Sequence, residues 1–476
     1  MTSFVSSTTT YHVEPGSFRD RSGRIYYYGD VIYRGINQQV LEDWKTLRST
    51  RFFQQAVTSG KIIQTEQVDS HTLPDASLLR DWSAVLKHQL IPFVSYPYEW
   101  SFGMLKDAAL LQLDLLDAAL DEDMTLKDAT SFNVQWIGAH PVFIDIPSFE
   151  RFVSGTPWVG YLQFCKLFLF PLFIQAYKNI PFQPWLRGSI DGLDPEDILH
   201  MMTARDFFRP GVFTDVYLQA KMQAKYANAN KPIKQDLRSS GFNKQMIRAN
   251  VRRLRKIIER LSWKRKHSEW VNYTSTNSYT DKDSSQKILF VEKVVKVKQR
   301  NLVWDLGCNT GRFSRIAAEN AEHVIAMDGD HLAIERFYQE LKSEGNKTIL
   351  PLVMNLANAS PNLGWRGLER KALTARTKPD LILCLALIHH IVISANIPVN
   401  EFIEWLASLG SDLIIEFVTK EDPMVNVLLR NKEDQYDDYE LDNFERILAS
   451  KFTIVEQSAL SSGTRYLFYA EAKVKS

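Results

Sequence analysis

The sequence is short of three things, and each shortage closes off a class of protein. Only three cysteines occur among 476 residues, Cys165, Cys308 and Cys384, too far apart in sequence for a zinc motif or a disulfide framework. They suit a reducing compartment, and a cytoplasmic location is expected. Charge of one sign is not in excess: 57 Lys and Arg face 56 Asp and Glu, a formal net charge of +1. Bulk electrostatics therefore select no partner. A long, clean apolar run is missing too. The nearest approach, 161–177, is aromatic and apolar but contains Gln163, Lys166, Pro171 and Gln175, and it falls short of the roughly 20 apolar residues a bilayer crossing needs. It reads as a buried helix, with no transmembrane segment expected. The Ser/Thr-rich start lacks the basic and apolar parts of a secretory signal, and 1–16 reads as a disordered tail.

What is present is ordinary globular composition, 45% hydrophobic and 24% charged, at a length that suits two or three domains. The most informative stretch is Val303-Trp-Asp305-Leu-Gly307-Cys-Asn-Thr-Gly311. An apolar strand ends in a carboxylate and a glycine turn, and the helix that follows points its free N–H groups back at the turn. Glycine at 307 and 311 permits close approach of a ligand or positive φ.

Beyond residue 287 strands and helices alternate, which predicts a parallel sheet covered on both faces. Strands are expected at 302–305, 323–327, 349–353, 381–385, 413–416, 452–455 and 466–470, a doubly wound α/β sheet closed by an antiparallel edge hairpin. The turn at Asp305, the segment His323-Val-Ile-Ala-Met-Asp328 and the segment from Pro379 to His390 resemble the class I S-adenosylmethionine-dependent methyltransferases. The resemblance implies a seven-stranded Rossmann-like sheet and S-adenosylmethionine as cofactor. Gly307 and Gly311 would approach its amino-acid part and Asp305 its ammonium, while Asp328, 21 residues after Gly307, would accept from both ribose hydroxyls. Asn355 stands where the family often has an Asp for the adenine amino group, and its carbonyl oxygen offers the same bond. Trp270, Tyr273 and Tyr279 either cover the sulfonium or pack between modules. His389 and His390 follow the fourth strand, with His390 a candidate general base or substrate contact and a structural role as the alternative. Glu416 and Asp422 are further candidates on the substrate side.

The N-terminal half carries a second constellation. A hairpin at 24–36 turning at Gly29-Asp30, a helix at 38–59, strands at 61–65 and 90–95 and a long helix at 102–120 precede a loop bearing Asp128 and Asn133 and a strand, 141–144, ending in Asp145. Asp, then Asn five positions on, then an Asp closing a strand, is the spacing of a kinase catalytic loop with its metal strand. The segment resembles the protein-kinase or aminoglycoside-phosphotransferase fold, an α+β module over 17–228. That resemblance implies Asp128 orienting an attacking hydroxyl, Asn133 and Asp145 as metal ligands, and Mg-ATP as co-substrate. The departures are specific: no G-x-G-x-x-G loop, no Val-Ala-Ile-Lys strand, Lys127 before Asp128, and Ile146-Pro147 after Asp145. Arg34, with Glu42 as partner, would take the phosphate-binding role. Alternatively Asp128 and Asn133 are turn and capping residues.

A connector over 229–286 includes an amphipathic helix that is strongly basic between Lys244 and Lys266. Nucleic-acid binding is open but not favoured over a solvated inter-domain helix. The methyltransferase domain is expected over 287–476. The whole chain also resembles, through 95–109, 141–150 and the Asp305 turn, a bacterial group of large methyltransferase-like proteins, the NoeA-like nodulation proteins. The acceptor of the methyl group is undefined, with a small molecule, glycan or lipid favoured, and the oligomeric state is not legible. Two rival readings stand beside a methyltransferase: a phosphotransferase built on the N-terminal module, and a scaffold with both modules degenerate.

Overall fold

The computed structural model describes residues 11–69, 71, 73, 80–227, 243–265, 279–430, 432 and 435–473. Trp270 and Tyr273, with the connector stretches 229–242 and 266–278, lie outside them. Among the described residues no helix is long and apolar enough to cross a membrane.

The N-terminal half opens with a five-stranded antiparallel sheet in the order β1 (His12–Val13), β2 (Gly23–Tyr28), β3 (Val31–Ile36), β5 (Ala84–His88), β4 (Thr65–Gln67). Part of the expected tail thus belongs to the sheet, since His12 and Val13 pair with Tyr27 and Tyr26. The hairpin turns at Gly29-Asp30 as expected, with Tyr28 opposite Val31. Two expected strands move, the one at 61–65 giving way to β4 at Thr65–Gln67. The pairing with β3 falls on 84–88, where Ala84, Val85 and Leu86 are buried, and 90–95 is irregular. The expected 38–59 helix is two, Gln38–Leu47 and Arg51–Thr58. Glu122, at the end of the long helix Phe102–Asp121, accepts from the N–H groups of Arg51 and Phe52, and so satisfies the exposed start of the second piece.

Phe102–Asp121 buries apolar residues over most of its circumference and keeps a stripe of acids, Asp107, Asp114, Asp117 and Asp121, outside the core. After it come β6 (Met124–Leu126), paired with β9 (Phe149–Arg151), and the hairpin of β7 (Val134–Ile137) and β8 (His140–Phe143). The apolar 161–177 stretch is a buried helix whose middle, Cys165–Leu169, widens into a π turn ahead of Pro171, whose ring removes one backbone donor.

The basic helix is Lys244–Arg260, capped by the Asn243 side chain. It packs Ile247, Val251, Leu254 and Ile258 into the core, and its cations meet acids from the N-terminal half. Lys244 pairs with Asp123, Arg248 with Asp117 and Asp121, Arg253 with Asp215 and Arg255 with Asp114. The run of positive charge is therefore complementary to the acidic face of Phe102–Asp121 and its neighbours.

The C-terminal sheet has seven strands in the order β12 (Ile349–Val353), β11 (Ala321–Asp328), β10 (Arg300–Leu306), β13 (Leu381–Cys384), β14 (Asp412–Val418), β16 (Arg465–Ala472), β15 (Phe452–Ala459). The first five are parallel, and β16 runs antiparallel between β14 and β15. Central strands are buried along nearly their whole length, while the edge strand β15 alternates buried and exposed, as one covered face requires. The strand order reverses direction between β10 and β13, which opens a crevice at their carboxyl ends.

Candidate functional site

That crevice holds a cavity of about 670 Å³ lined by the residues of the glycine turn, Asp328, Asn355 and His390. β10 delivers Asp305 to its floor. The turn then folds back so that the N–H groups of Gly307 and Cys308 donate to the Met327 carbonyl, 2.8 and 3.0 Å away. Gly311 has φ +81°, and a Cβ there would lie 1.9 Å from Cζ of Phe337. Glycine is required at 311 twice over, by backbone sign and by space.

Asp305 is 2% exposed and accepts from the Ser314 hydroxyl at 2.6 Å. Burial pushes its carboxyl up to about 6, Ser314 working in the opposite direction. At the end of β11, Asp328 is braced from both sides. Its Oδ2 accepts from the Asn309 N–H and its Oδ1 from the Asp330 N–H, each at 2.8 Å. Burial raises it to about 6 as well. Each oxygen retains a lone pair for a ligand hydroxyl. Asn355 caps the short turn Leu356–Asn358 through its Oδ1, which accepts from the Ala357 N–H at 3.0 Å, and its amide borders the cavity.

Lys287 and Tyr279, on one wall of the cavity, belong to a buried ionic cluster that composition and spacing did not single out as a unit. Lys287 lies 2.6 Å from Glu416 and 2.8 Å from the Tyr279 hydroxyl, which itself donates to Glu416 at 2.6 Å. Arg465 bridges Glu416 and Asp422 and stacks over the Tyr279 ring at 4.0 Å. Burial disfavours the Glu416 charge, but Lys287 and Arg465 outweigh it and hold that carboxyl below its ordinary value. Glu416, Asp422 and Tyr279 are candidates from the sequence, whereas nothing local marks Lys287 and Arg465. Tyr279 lines the cavity while its ring packs against Lys287 and Arg465.

Of the two histidines only His390 lines the cavity; His389 is fully buried behind it, ring centroids 4.2 Å apart. Burial and the nearby Arg465 lower His390 to about 4, so its imidazole is neutral near pH 7, a weak base that can accept a hydrogen bond.

The N-terminal constellation also gathers. The Asn133 amide donates to the Ser148 hydroxyl at 3.0 Å, Ser148 donates to Asp145 at 2.5 Å, and Arg34 pairs with Asp145 at 2.5 Å. Asp128 lies near enough that, after burial, Asp145 is the main influence raising its carboxyl. Arg34 reaches Asp145 and not Glu42, which bonds to Gln38 and Lys45 instead. Both Asp145 oxygens are thus engaged and a guanidinium sits against it. This arrangement does not fit Mg²⁺, and among the described residues no group of three or more His, Cys, Asp or Glu is placed to hold a metal.

A seven-stranded sheet in this order, with a carboxylate-bearing glycine turn at the point where the order reverses, is the doubly wound, Rossmann-like sheet expected from the sequence. No family model matches the chain. The nodulation protein NoeA of Rhizobium meliloti (strain 1021) is 34% identical over 460 residues, covering 96% of this chain and 95% of that protein. The chain belongs to the NoeA family. Solved structures similar to its C-terminal part include the N-methyltransferase NodS from Bradyrhizobium japonicum WM9 in complex with S-adenosyl-l-homocysteine, at 12% identity, 44% of this chain, 100% of that chain and a TM-score of 0.31. Magnesium protoporphyrin IX methyltransferase (ChlM) from Synechocystis PCC 6803 with bound SAM is similar at 17% identity, 44% of this chain, 86% of that chain and a TM-score of 0.28. Likenesses that distant carry no argument about activity.

Proposed function

We propose that the protein transfers a methyl group from S-adenosylmethionine to an acceptor held on the His390 side of the cavity. The observation that supports this most is Asp328, a carboxylate oriented by two backbone N–H groups and facing the same cavity as Asp305 and the glycine turn. In this reading Asp305 meets the ammonium, Gly307 and Gly311 admit the methionine tail, Asp328 takes the ribose hydroxyls and Asn355 borders the adenine. The cofactor supplies an already activated methyl group, so the protein's task is alignment. His390, neutral and at the cavity wall, accepts a hydrogen bond from the acceptor. A small molecule, glycan or lipid is favoured as acceptor over nucleic acid, because the basic helix directs its arginines to acids of its own chain. Calorimetric titration of the full chain with S-adenosylmethionine tests the assignment: no binding, or binding unchanged in Asp328→Ala, removes it.

A phosphotransferase in the N-terminal half is a second reading. The convergence of Asp128 and Asp145 favours it, and the Arg34–Asp145 pair stands against it. Mg-ATP turnover that is absent, or unaffected by Asp145→Ala, eliminates it.

A further inference from the structure

A second cavity, of about 510 Å³, lies where the antiparallel sheet meets the insertion between β12 and β13. Its volume is that of an ordinary small-molecule site. Ile25, Ile32, Ile63, Ile91, Phe132 and Ile144 make most of it apolar, and Leu90 and Val94 stay exposed at its edge, 46% and 38%.

The polar lining is unbalanced. Four cations, Arg34, Arg370, Lys371 and Arg376, share the wall with the carboxylates Glu14 and Glu369. Pairing removes nearly all of these charges. Arg34 is matched by Asp145, Lys371 by Glu14 and Arg376 by Glu99, while Glu369 is held by Arg19 from outside. Arg370 remains. Its guanidinium stacks on the Phe132 ring at 3.9 Å and donates to the Glu369 carbonyl, and no carboxylate among the described residues is within ion-pair distance.

Unpartnered nitrogens point to the same place. Nε of Arg370 and Nε of Arg34 are buried with no hydrogen-bond partner, and both residues line this cavity, whereas Nε2 of the neutral His88 is an acceptor, because Thr65 gives its proton to the Ile63 carbonyl and takes one from Nδ1. An orphaned buried donor is costly, because its bond to water is lost without replacement. Two of them beside a single unmatched cation give this cavity wall more donors than acceptors.

We propose that this cavity binds a small organic monoanion, a carboxylate or phosphate group on an apolar body, with Arg370 meeting the charge. The site draws on both halves of the chain and needs neither the metal nor the phosphoryl chemistry considered for Asp145. It also stands apart from methyl transfer, so neither proposal falls with the other.

Calorimetry on the full chain with 2-naphthoate, 2-naphthyl phosphate and neutral 2-naphthamide tests it, the Arg370→Met variant separating binding here from binding in the first cavity. At least one anion is expected to bind about tenfold or more tighter than the amide, the effect of one charge-assisted bond. Which anion wins tells carboxylate from phosphate. Arg370→Met, which keeps an apolar stem on Phe132, should abolish the preference, and Arg370→Lys should restore part of it. Equal binding of charged and neutral probes, a preference that survives Arg370→Met, or no binding of either anion at millimolar concentration overturns the proposal. Should Arg370→Met fail to fold, hydrogen exchange of the unmodified protein decides. Protection by the anion at 84–94 and 369–377 supports the site, and protection elsewhere alone refutes it.

Discussion

Glu99, just before the long N-terminal helix, and Arg376, in the insertion of the C-terminal sheet, form an ion pair at 2.6 Å with side chains 1% and 2% exposed. Ser360 adds its hydroxyl to Glu99 at 2.5 Å, and Arg376 lies over the Tyr96 ring at 4.3 Å. The two halves are therefore joined through a charge that neither can bury alone. The joined segment starts at Asn355, on the cofactor cavity, and Arg187 grips its first turn through Asn358 and Ala359.

Removing one partner leaves the other buried and uncompensated, which costs about 3–5 kcal/mol. Arg376→Met should accordingly lower the thermal midpoint sharply. Although residue 376 does not line the cofactor cavity, the same variant should weaken S-adenosylmethionine, since the 355–376 segment loses its anchor. Scanning calorimetry and titration on one preparation check both effects. Unchanged cofactor affinity would show that the anchor is structural only.

The C-terminal half was legible because its strands are continuous apolar runs closed by acids and glycines, and each expected strand lies where the structure has one. The N-terminal half was less so. The β5 strand escaped because Ala84–His88 is short and ends in Lys87 and His88, whereas the more apolar 90–95 stretch lines a cavity edge instead of pairing. The split of the 38–59 helix depends on Glu122, 71 residues from Arg51, and no local pattern reveals such a cap. Likewise Lys287 and Arg465 become functional-site residues only when Glu416 is brought between them. Long-range ionic partnerships are the part of a site that spacing does not encode.

Cofactor binding should depend on pH in a way set by Asp305 and Asp328, both raised to about 6 by burial. Both must be ionised to accept from the ammonium and ribose hydroxyls. Affinity is thus expected to be flat above pH 7 and to fall below pH 6, by up to about tenfold per pH unit for each group. Stability of the empty protein runs the other way. A raised carboxyl favours the fold at low pH, and that contribution is lost as pH rises through 6. Titrations between pH 5 and 8 should show the fall, and Asp328→Ala should remove its share of the slope. A pH-independent affinity in the unmodified protein would disprove the role of both acids.

Gly311→Ala should damage the turn for two separable reasons. The new methyl meets Phe337 at 1.9 Å, and the backbone stays at φ +81°. Adding Phe337→Ala frees the space but not the backbone, so the double variant should still bind S-adenosylmethionine more weakly than Phe337→Ala alone. The residual strain is about 1–2 kcal/mol. Full recovery in the double variant would mean that only the ring clash mattered.

The basic helix offers a discriminating pair. Arg253 meets Asp215, which is fully buried and also accepts from Tyr161 at 2.5 Å, whereas Arg252 is 60% exposed and its nearest acid, Asp117, is 3.9 Å away. Arg253→Ala strands Asp215. Because Arg253 itself is 37% exposed, water screens part of the loss, and about 2–3 kcal/mol is expected. Arg252→Ala should change stability by no more than about 0.5 kcal/mol. If the helix serves its own chain, neither variant alters retention on heparin or RNA in proportion to the charge removed. Equal, salt-steep losses of RNA binding from both, with stability unchanged, would reverse that conclusion and return nucleic acid to the acceptors worth assaying.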